Sequence, residues 1–380
     1  MRTSGPSFVT TCFLCPLRRR ISASATDVLD ACPPSYIFLM RRSTEKLSSN
    51  DGLIRDPTNL DHYLGQLTPT YLHTYTELPT SIYKQCFHHE EARGSYGAVT
   101  EVEELSTGRR LAMKTLEGPK YLPMRLENYL GELVILRVCD HPNLLRVVDA
   151  FRTGERKLHF VIEPWAPYTL HSFLYSPDAE RREMFKWFKP DDEFSTIKIC
   201  HWMLGLAGGL GFLHDRSIKH KDIKPQNILL HFEEDSTIQP ILADVGKGKV
   251  WHEGASSGYA DSTRMFLAPE QIRCRDPKST LQADVWQLGC CFAILLALAC
   301  GGTSASHSLH FTFGSVAKPP NCISLNREIF LAELDTICVG KPHVSEALPI
   351  VKAMLAEEPE RRLKIVEVTK RLNGLLYPWE

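Results

Sequence analysis

Residues 220–227, His-Lys-Asp-Ile-Lys-Pro-Gln-Asn, set a carboxylate (Asp222), an ammonium (Lys224) and an amide (Asn227) within six positions. An apolar run, Ile228-Leu229-Leu230, follows at once. Phosphoryl transfer needs these three groups: one to orient an attacking hydroxyl, a cation for the transferred phosphoryl, and an oxygen ligand for magnesium. A chance polar loop could hold the same residue types, though not readily in this order. Further on, Ala243-Asp244-Val245-Gly246 closes the apolar pair Ile241-Leu242. An aspartate at a strand end beside a glycine can reach a metal held between phosphates. Alone, that tetrapeptide reads as an ordinary turn.

Two weaker signals lie upstream. Gly94-Ser95-Tyr96-Gly97 sits between strand-like stretches and leads into Ala98-Val99. Glycines there let backbone N–H groups approach phosphate oxygens unobstructed. Glycine turns between strands are nonetheless common. Lys114, in Leu111-Ala112-Met113-Lys114-Thr115, alternates with apolar residues. Such a lysine usually faces solvent. Its distance from the glycine turn allows a strand, a short turn and a returning strand, which would bring the ammonium under the glycine loop. Glu132, on the helix expected next, is the natural anion to fix it. The bland reading of Glu132 is a solvated helix glutamate.

The elements needed to position these groups are legible. Residues 97–102 read as a strand after the glycine turn, and 110–116 as its partner. Residues 126–138 have helical apolar spacing, and 144–151 and 158–163 read as two more strands. Helical patterns then dominate at 197–214, 283–300, 346–356 and 365–376. A strand-rich small lobe therefore precedes a helix-rich large one. Residues 175–193, charged and containing proline, read as an exposed insertion, and 302–325 as a loop. Residues 1–80 lack a sustained period and read as a mostly disordered extension, with a short docking segment at 63–75.

Composition narrows the function classes. The 380 residues are 43% hydrophobic and 23% charged, with formal net charge -1, which suits an ordinary globular protein. A charge so near zero argues against a general nucleic-acid binder. The longest apolar run, residues 285–300, is short of the ~20 residues a membrane span needs and reads as a buried helix. The 12 cysteines are irregularly spaced, and Cys12 and Cys15 form a C-x-x-C with no second pair to complete a zinc site. Reduced thiols are expected, and with them a cytoplasmic or nuclear location. The first 26 residues contain no acid but hold Arg2, Arg18, Arg19 and Arg20, weakly like a mitochondrial transit peptide.

Taken as an ordered set ending in Ala268-Pro269-Glu270, these pieces resemble the eukaryotic protein kinase domain, serine/threonine type, over residues 83–376. The resemblance implies an α+β, two-lobed fold. Its small lobe (83–163) is an antiparallel sheet with one key helix, and its larger lobe (164–376) is mainly helical. It implies ATP and Mg2+ as cofactors, a protein substrate, and a monomer without a membrane span. By the same resemblance Asp222 accepts or orients the substrate hydroxyl proton. Lys224 steadies the phosphoryl group, and its place two positions after that aspartate marks the serine/threonine branch. Asn227 and Asp244 hold magnesium, and Lys114 touches the phosphates and pairs with Glu132. Gly94, Ser95, Gly97, Val99 and Ala112 join the nucleotide site, with Ile162 and Glu163 as gate and hinge beside the adenine. Glu270 is expected to pair with Arg362, and Asp284 to brace the catalytic-loop backbone.

The chain departs from that pattern at several points. Ala92 stands for the first glycine of the loop, Val245 for a phenylalanine, and Phe266 for a tyrosine. Lys221 replaces an arginine, offering a point charge where a two-pronged phosphate contact is usual. That puts control by phosphorylation of the following loop in question. None of these removes a phosphate or metal ligand. The rival readings are a nucleotide-binding scaffold with little transfer activity and a kinase for small molecules. The first would predict loss of Lys114, Asp222 or Asp244. The segment before Ala268-Pro269-Glu270, a platform for protein substrates, argues against the second.

Overall fold

The computed structural model describes residues 73–86, 92–94, 97–117, 136, 139–154, 157–233, 237–245, 264–273, 280–311 and 322–378. The small lobe is a sheet of strands β1 (His73–Tyr75), β2 (Tyr83–Gln85), β3 (Ala92–Gly94), β4 (Gly97–Glu104), β5 (Arg109–Glu117), β6 (Arg146–Thr153) and β7 (Lys157–Glu163). Their order is β1-β6-β7-β5-β4-β2, with β3 also paired to β4. The pairs are antiparallel except β1 with β6, which is parallel, so the sheet is mixed and not purely antiparallel. Strand β1 lies inside the stretch read from sequence as an extension. It is held by Tyr75, whose ring meets Phe151 edge-on at 5.5 Å. The helix expected over 126–138, and Glu132 with it, falls outside the described residues apart from helical Leu136.

Alternation along β5 explains the two sides of this sheet. Leu111 and Met113 enter one apolar cluster with Phe151 and Val161. Ala112 and Leu116 enter the other, with Ile162 and Ala243. Lys114 shares the parity of Ala112, so the strand period places it on the inner face, toward the large lobe.

His159 of β7 lies on the outer face, stacked on Phe151 at 4.9 Å. Its two ring nitrogens meet the hydroxyls of Thr115 (3.0 Å) and Thr153 (2.7 Å). Burial, with some help from Lys157, lowers its pKa from 6.5 to about 4. The unfolded chain therefore takes up this proton before the folded one. The stability tied to a neutral His159 is complete above pH 6.5 and is lost as pH falls toward 4. Denaturant titrations are expected to show about 3 kcal/mol lost over that interval on this account. The slope should be shallower in His159→Gln; equal slopes would refute the assignment.

The large lobe contains β8 (Tyr168–Thr169), α1 (Leu170–Tyr175), α2 (Asp178–Met184), α3 (Glu193–Asp215), β9 (Ile228–Phe232), β10 (Ile238–Leu242), α4 (Pro269–Arg273), α5 (Leu281–Phe311), α6 (Arg327–Cys338), α7 (Ala347–Met354) and α8 (Ile365–Leu376). Helix α3 starts at Asp192, whose carboxylate accepts from the Ser195 amide at 2.9 Å. Helix α5 is the core axis: from Val285 to Cys300 its apolar side chains are buried. Helices α3 and α5 are long and apolar enough to cross a membrane, but 56% and 78% of their apolar windows are buried inside the protein, as in the core helices of globular domains.

Two sequence expectations for this lobe are corrected. Residues 175–193 are not an exposed insertion. Arg181, Phe185 and Phe188 are buried. The Arg181 guanidinium donates to the Ser176 carbonyl (2.7 Å), Asp178 Oδ1 (2.6 Å) and Thr303 Oγ1 (2.8 Å). Charge content suggested solvent, but a guanidinium with its donors satisfied can be buried. Residues 302–311 are not loop either, because α5 continues to Phe311 across a break at Gly302. Gly302 has φ 67, and a Cβ there would stand 3.1 Å from the Pro190 ring, so glycine is required. Residues 312–321 lie outside the described residues.

Candidate active site

Strand β9 and strand β10 form a hairpin whose two ends carry the candidate residues. The loop 220–224 and the 3-10 turn Pro225–Asn227 enter β9, and Ala243-Asp244 leave β10. The Ala243 amide donates to the Asn227 carbonyl at 2.9 Å, which ties the two ends together. Asp222 and Asn227 are buried, at 8% and 7% exposure. The Asn227 side-chain amide donates to the Asp222 carbonyl oxygen (2.7 Å) and to Asp222 Oδ2 (3.0 Å). With its nitrogen so engaged, Asn227 turns its oxygen the other way. Lys224 Nζ also donates to Asp222 Oδ2, at 3.0 Å.

Helix α5 fixes this loop from below. Asp284 is fully buried and accepts from the backbone amides of His220 (2.9 Å) and Lys221 (2.8 Å), and it meets His214 Nε2 at 3.1 Å. One turn on, Gln287 Oε1 accepts from the Ile223 amide at 2.9 Å. These contacts hold Lys221 at φ 71, a left-handed conformation that a non-glycine residue adopts only at a cost of about 1 kcal/mol. The bracing by Asp284 was legible in sequence. The role of Gln287 was missed, although its place three residues after Asp284 on one helix face was a usable signal.

The lobes meet at Lys114. Its ammonium donates to Asp244 Oδ1 at 3.0 Å. The expected partner Glu132 lies outside the described residues. Asp244 is at φ 60, which aspartate tolerates better than most residues. Val99 sits opposite Lys114 on β4, and Ala112 sits opposite Ile162. Val99, Ala112, Ile162 and Ala243 belong to one apolar cluster, so the residues expected around the adenine share a wall that ends beside Asp244. Gly94 and Gly97 face each other across β3 and β4. Ser95 lies outside the described residues, as does Gly246. Val245 is fully buried in the large-lobe core.

Glu163, the expected hinge residue, is bracketed by two arginines that the sequence reading passed over. Arg109 Nη1 donates to Glu163 Oε2 (2.9 Å) and Arg146 Nε to Oε1 (2.7 Å), while Arg109 Nη2 reaches Glu104 (2.8 Å). Partly exposed pairs of this kind contribute about 0.2–1 kcal/mol each. Arg109→Ala is therefore expected to weaken nucleotide binding about 2–5-fold by loosening the hinge, measured by titration calorimetry. Unchanged affinity would show that the bracket serves stability alone.

The donor set suits a magnesium–nucleotide group. Asp244 offers carboxylate oxygens and Asn227 an amide oxygen, the hard ligands magnesium prefers. Among the described residues no three acidic, histidine or cysteine side chains converge as a self-sufficient metal cage. His220 is fully buried beneath the loop, and burial holds its pKa below the usual imidazole range, so it adds no charge there.

Comparison with known proteins points one way. A family model described as protein kinase domain matches residues 90–372. A probable serine/threonine-protein kinase, glkA, of Dictyostelium discoideum is 30% identical over 207 residues, covering 54% of this chain and 38% of that one. An Aurora kinase of Eremothecium gossypii is 26% identical over 289 residues, covering 76% and 66%. A probable myosin light chain kinase of Dictyostelium discoideum is 24% identical over 295 residues, covering 76% and 79%. The matches thus span less than two thirds of the first two relatives' own length.

Proposed function

The chain belongs to the protein kinase domain family, and on that premise we propose that it transfers the γ-phosphoryl group of ATP to serine or threonine hydroxyls of a protein substrate. The observation that carries this reading is the convergence of Lys114 on Asp244 at 3.0 Å and of Lys224 on Asp222 at 3.0 Å. One ammonium–carboxylate pair thus stands at each end of the β9–β10 hairpin, and the Ala243–Asn227 backbone bond ties those ends together.

In this reading Asp222 orients the substrate hydroxyl and accepts its proton, and Lys224 balances the charge that develops on the phosphoryl oxygens. Lys114 holds the nucleotide phosphates, while Val99, Ala112 and Ile162 offer the adenine an apolar wall. Asn227 and Asp244 would hold magnesium, which, when bound, neutralises phosphate charge and aligns the phosphoryl group. The relatives named as serine/threonine kinases, and Lys224 in its place after Asp222, support the hydroxyl preference.

The test is magnesium-dependent transfer of labelled γ-phosphate to a generic basic protein, followed by acid hydrolysis of the product. Phosphoserine and phosphothreonine are expected. Nucleotide binding without transfer would leave a scaffold, and phosphotyrosine would overturn the hydroxyl class.

A further inference from the structure

In the large lobe, two thiols meet where α5 packs on α6. Cys300 of α5 and Cys338, the last residue of α6, have their sulfurs 3.7 Å apart, and both residues are buried, at 3% and 5% exposure. All the described cysteines are free. Among them this is the pair whose sulfurs are within hydrogen-bonding distance of each other. For other buried cysteines, such as Cys139 and Cys200, burial pushes the thiols up to about 12 and about 11. Such thiols are poor nucleophiles.

Cys300 differs. Its hydrogen bond with Cys338 holds it below the usual thiol range, against its burial, and the Lys341 ammonium acts in the same direction. Lys341 is itself anchored to Asp191 at 2.6 Å. The pair also lies only one residue beneath the surface. Gly301 after Cys300 is exposed. Val339 after Cys338 is 73% exposed, and Gly340, at φ 71, turns the chain away. The chain flanking each sulfur is thus open to solvent.

We propose that Cys300 and Cys338 are a redox modification site that a hydroperoxide converts to a disulfide stapling α5 to α6. The Cys300 thiolate attacks one peroxide oxygen. The O–O bond breaks, a sulfenic acid forms on Cys300, and the leaving hydroxide takes a proton to become water. The Cys338 sulfur then attacks the sulfenic sulfur, the S–O bond breaks, and the departing hydroxide leaves as water with the Cys338 proton. Two thiols are oxidised and one hydrogen peroxide is reduced to two waters. The sulfurs must close from 3.7 Å to about 2.05 Å, a shift that the break at Gly302 and the C-terminal end of α6 can share. The bond closes a loop that contains Thr303 and Ser306, which bind the Asp178 side chain and the Leu174 carbonyl. Oxidation therefore rigidifies the side of the lobe where α1, α2 and α5 meet.

The experiment treats the full chain with hydrogen peroxide, alkylates remaining thiols with N-ethylmaleimide, and maps peptides without reduction. A linked peptide joining Cys300 to Cys338 is expected, abolished by dithiothreitol and missing in Cys300→Ser and Cys338→Ser. The melting midpoint is expected to rise on oxidation and to return on reduction. Both cysteines alkylated after treatment, Cys300 as sulfinic acid beside an alkylated Cys338, or a linkage of either to another cysteine overturns the proposal. The wild-type map alone decides it if the serine variants do not fold. None of these readouts depends on phosphoryl transfer.

Discussion

Replacing Asp222 by asparagine is expected to lower the turnover of phosphoryl transfer by about 10²–10⁴-fold while leaving ATP affinity within a few-fold. The two side chains have nearly the same shape, so the change isolates the proton acceptor. Asp222 Oδ2 receives Lys224 Nζ and the Asn227 amide, each at 3.0 Å. An asparagine must turn its single oxygen toward those donors. Its NH2 then points into the cleft, where a substrate hydroxyl would meet a donor and find no acceptor. Initial rates across substrate and ATP concentrations separate the outcomes. A lowered kcat with little change in the KM for ATP places the defect in the chemical step. Activity within a few-fold of the wild type would remove Asp222 from the mechanism and turn attention to an acceptor elsewhere in the cleft.

The second large effect is expected below the loop. Asp284→Ala leaves the amides of His220 and Lys221 without their acceptor in a fully buried place. An unsatisfied buried donor costs about 1–3 kcal/mol, so the variant is expected to lose about 2–5 kcal/mol of stability. Lys221 would also be released from φ 71, and with it the backbone that aims Asp222. Transfer activity should therefore fall by more than the unfolded fraction explains. Asp284→Asn keeps one acceptor oxygen and is expected to fall between wild type and alanine in both readouts. Chemical denaturation gives the stability, and turnover per folded molecule gives the activity. Full specific activity in folded Asp284→Ala would show that the loop holds its shape without this brace. Gln287, which accepts from the Ile223 amide, is the reserve contact in that case.

The candidate site residues could be picked out because each carries a distinct chemistry in its own type and neighbours. Lys224 and Asn227 lie two and five residues from Asp222, so one short turn is enough to bring all three together. Alternation with Leu111 and Met113 alone read Lys114 as facing solvent; its spacing from the glycine turn pointed it under that loop, and the structure brings it to Asp244. Helix α8 was readable to the residue because its apolar period is regular over residues 365–376. The extent of α5 was not, because its period carries on past Gly302 in small and polar residues that resemble loop.

Composition misled where burial depends on partners. The charged stretch 175–193 looked solvated, yet Arg181 is buried because carbonyls from α1 and a hydroxyl from α5 surround its guanidinium. The parallel strand β1 was missed because three residues are too few to show a period; its place is set by the edge of β6.

By itself the sequence determined the kinds of chemistry this chain can do and the order in which its elements follow. These rest on side-chain type and on periods of a few residues, which hold in any fold. Only the tertiary structure decided the partners. Lys114 meets Asp244 across 130 positions, Asp284 meets the loop amides across 64 and 63, and Cys300 touches Cys338 across 38. Hydrogen bonding and desolvation act over a few ångströms of space, and sequence spacing carries no measure of that distance until the core has closed.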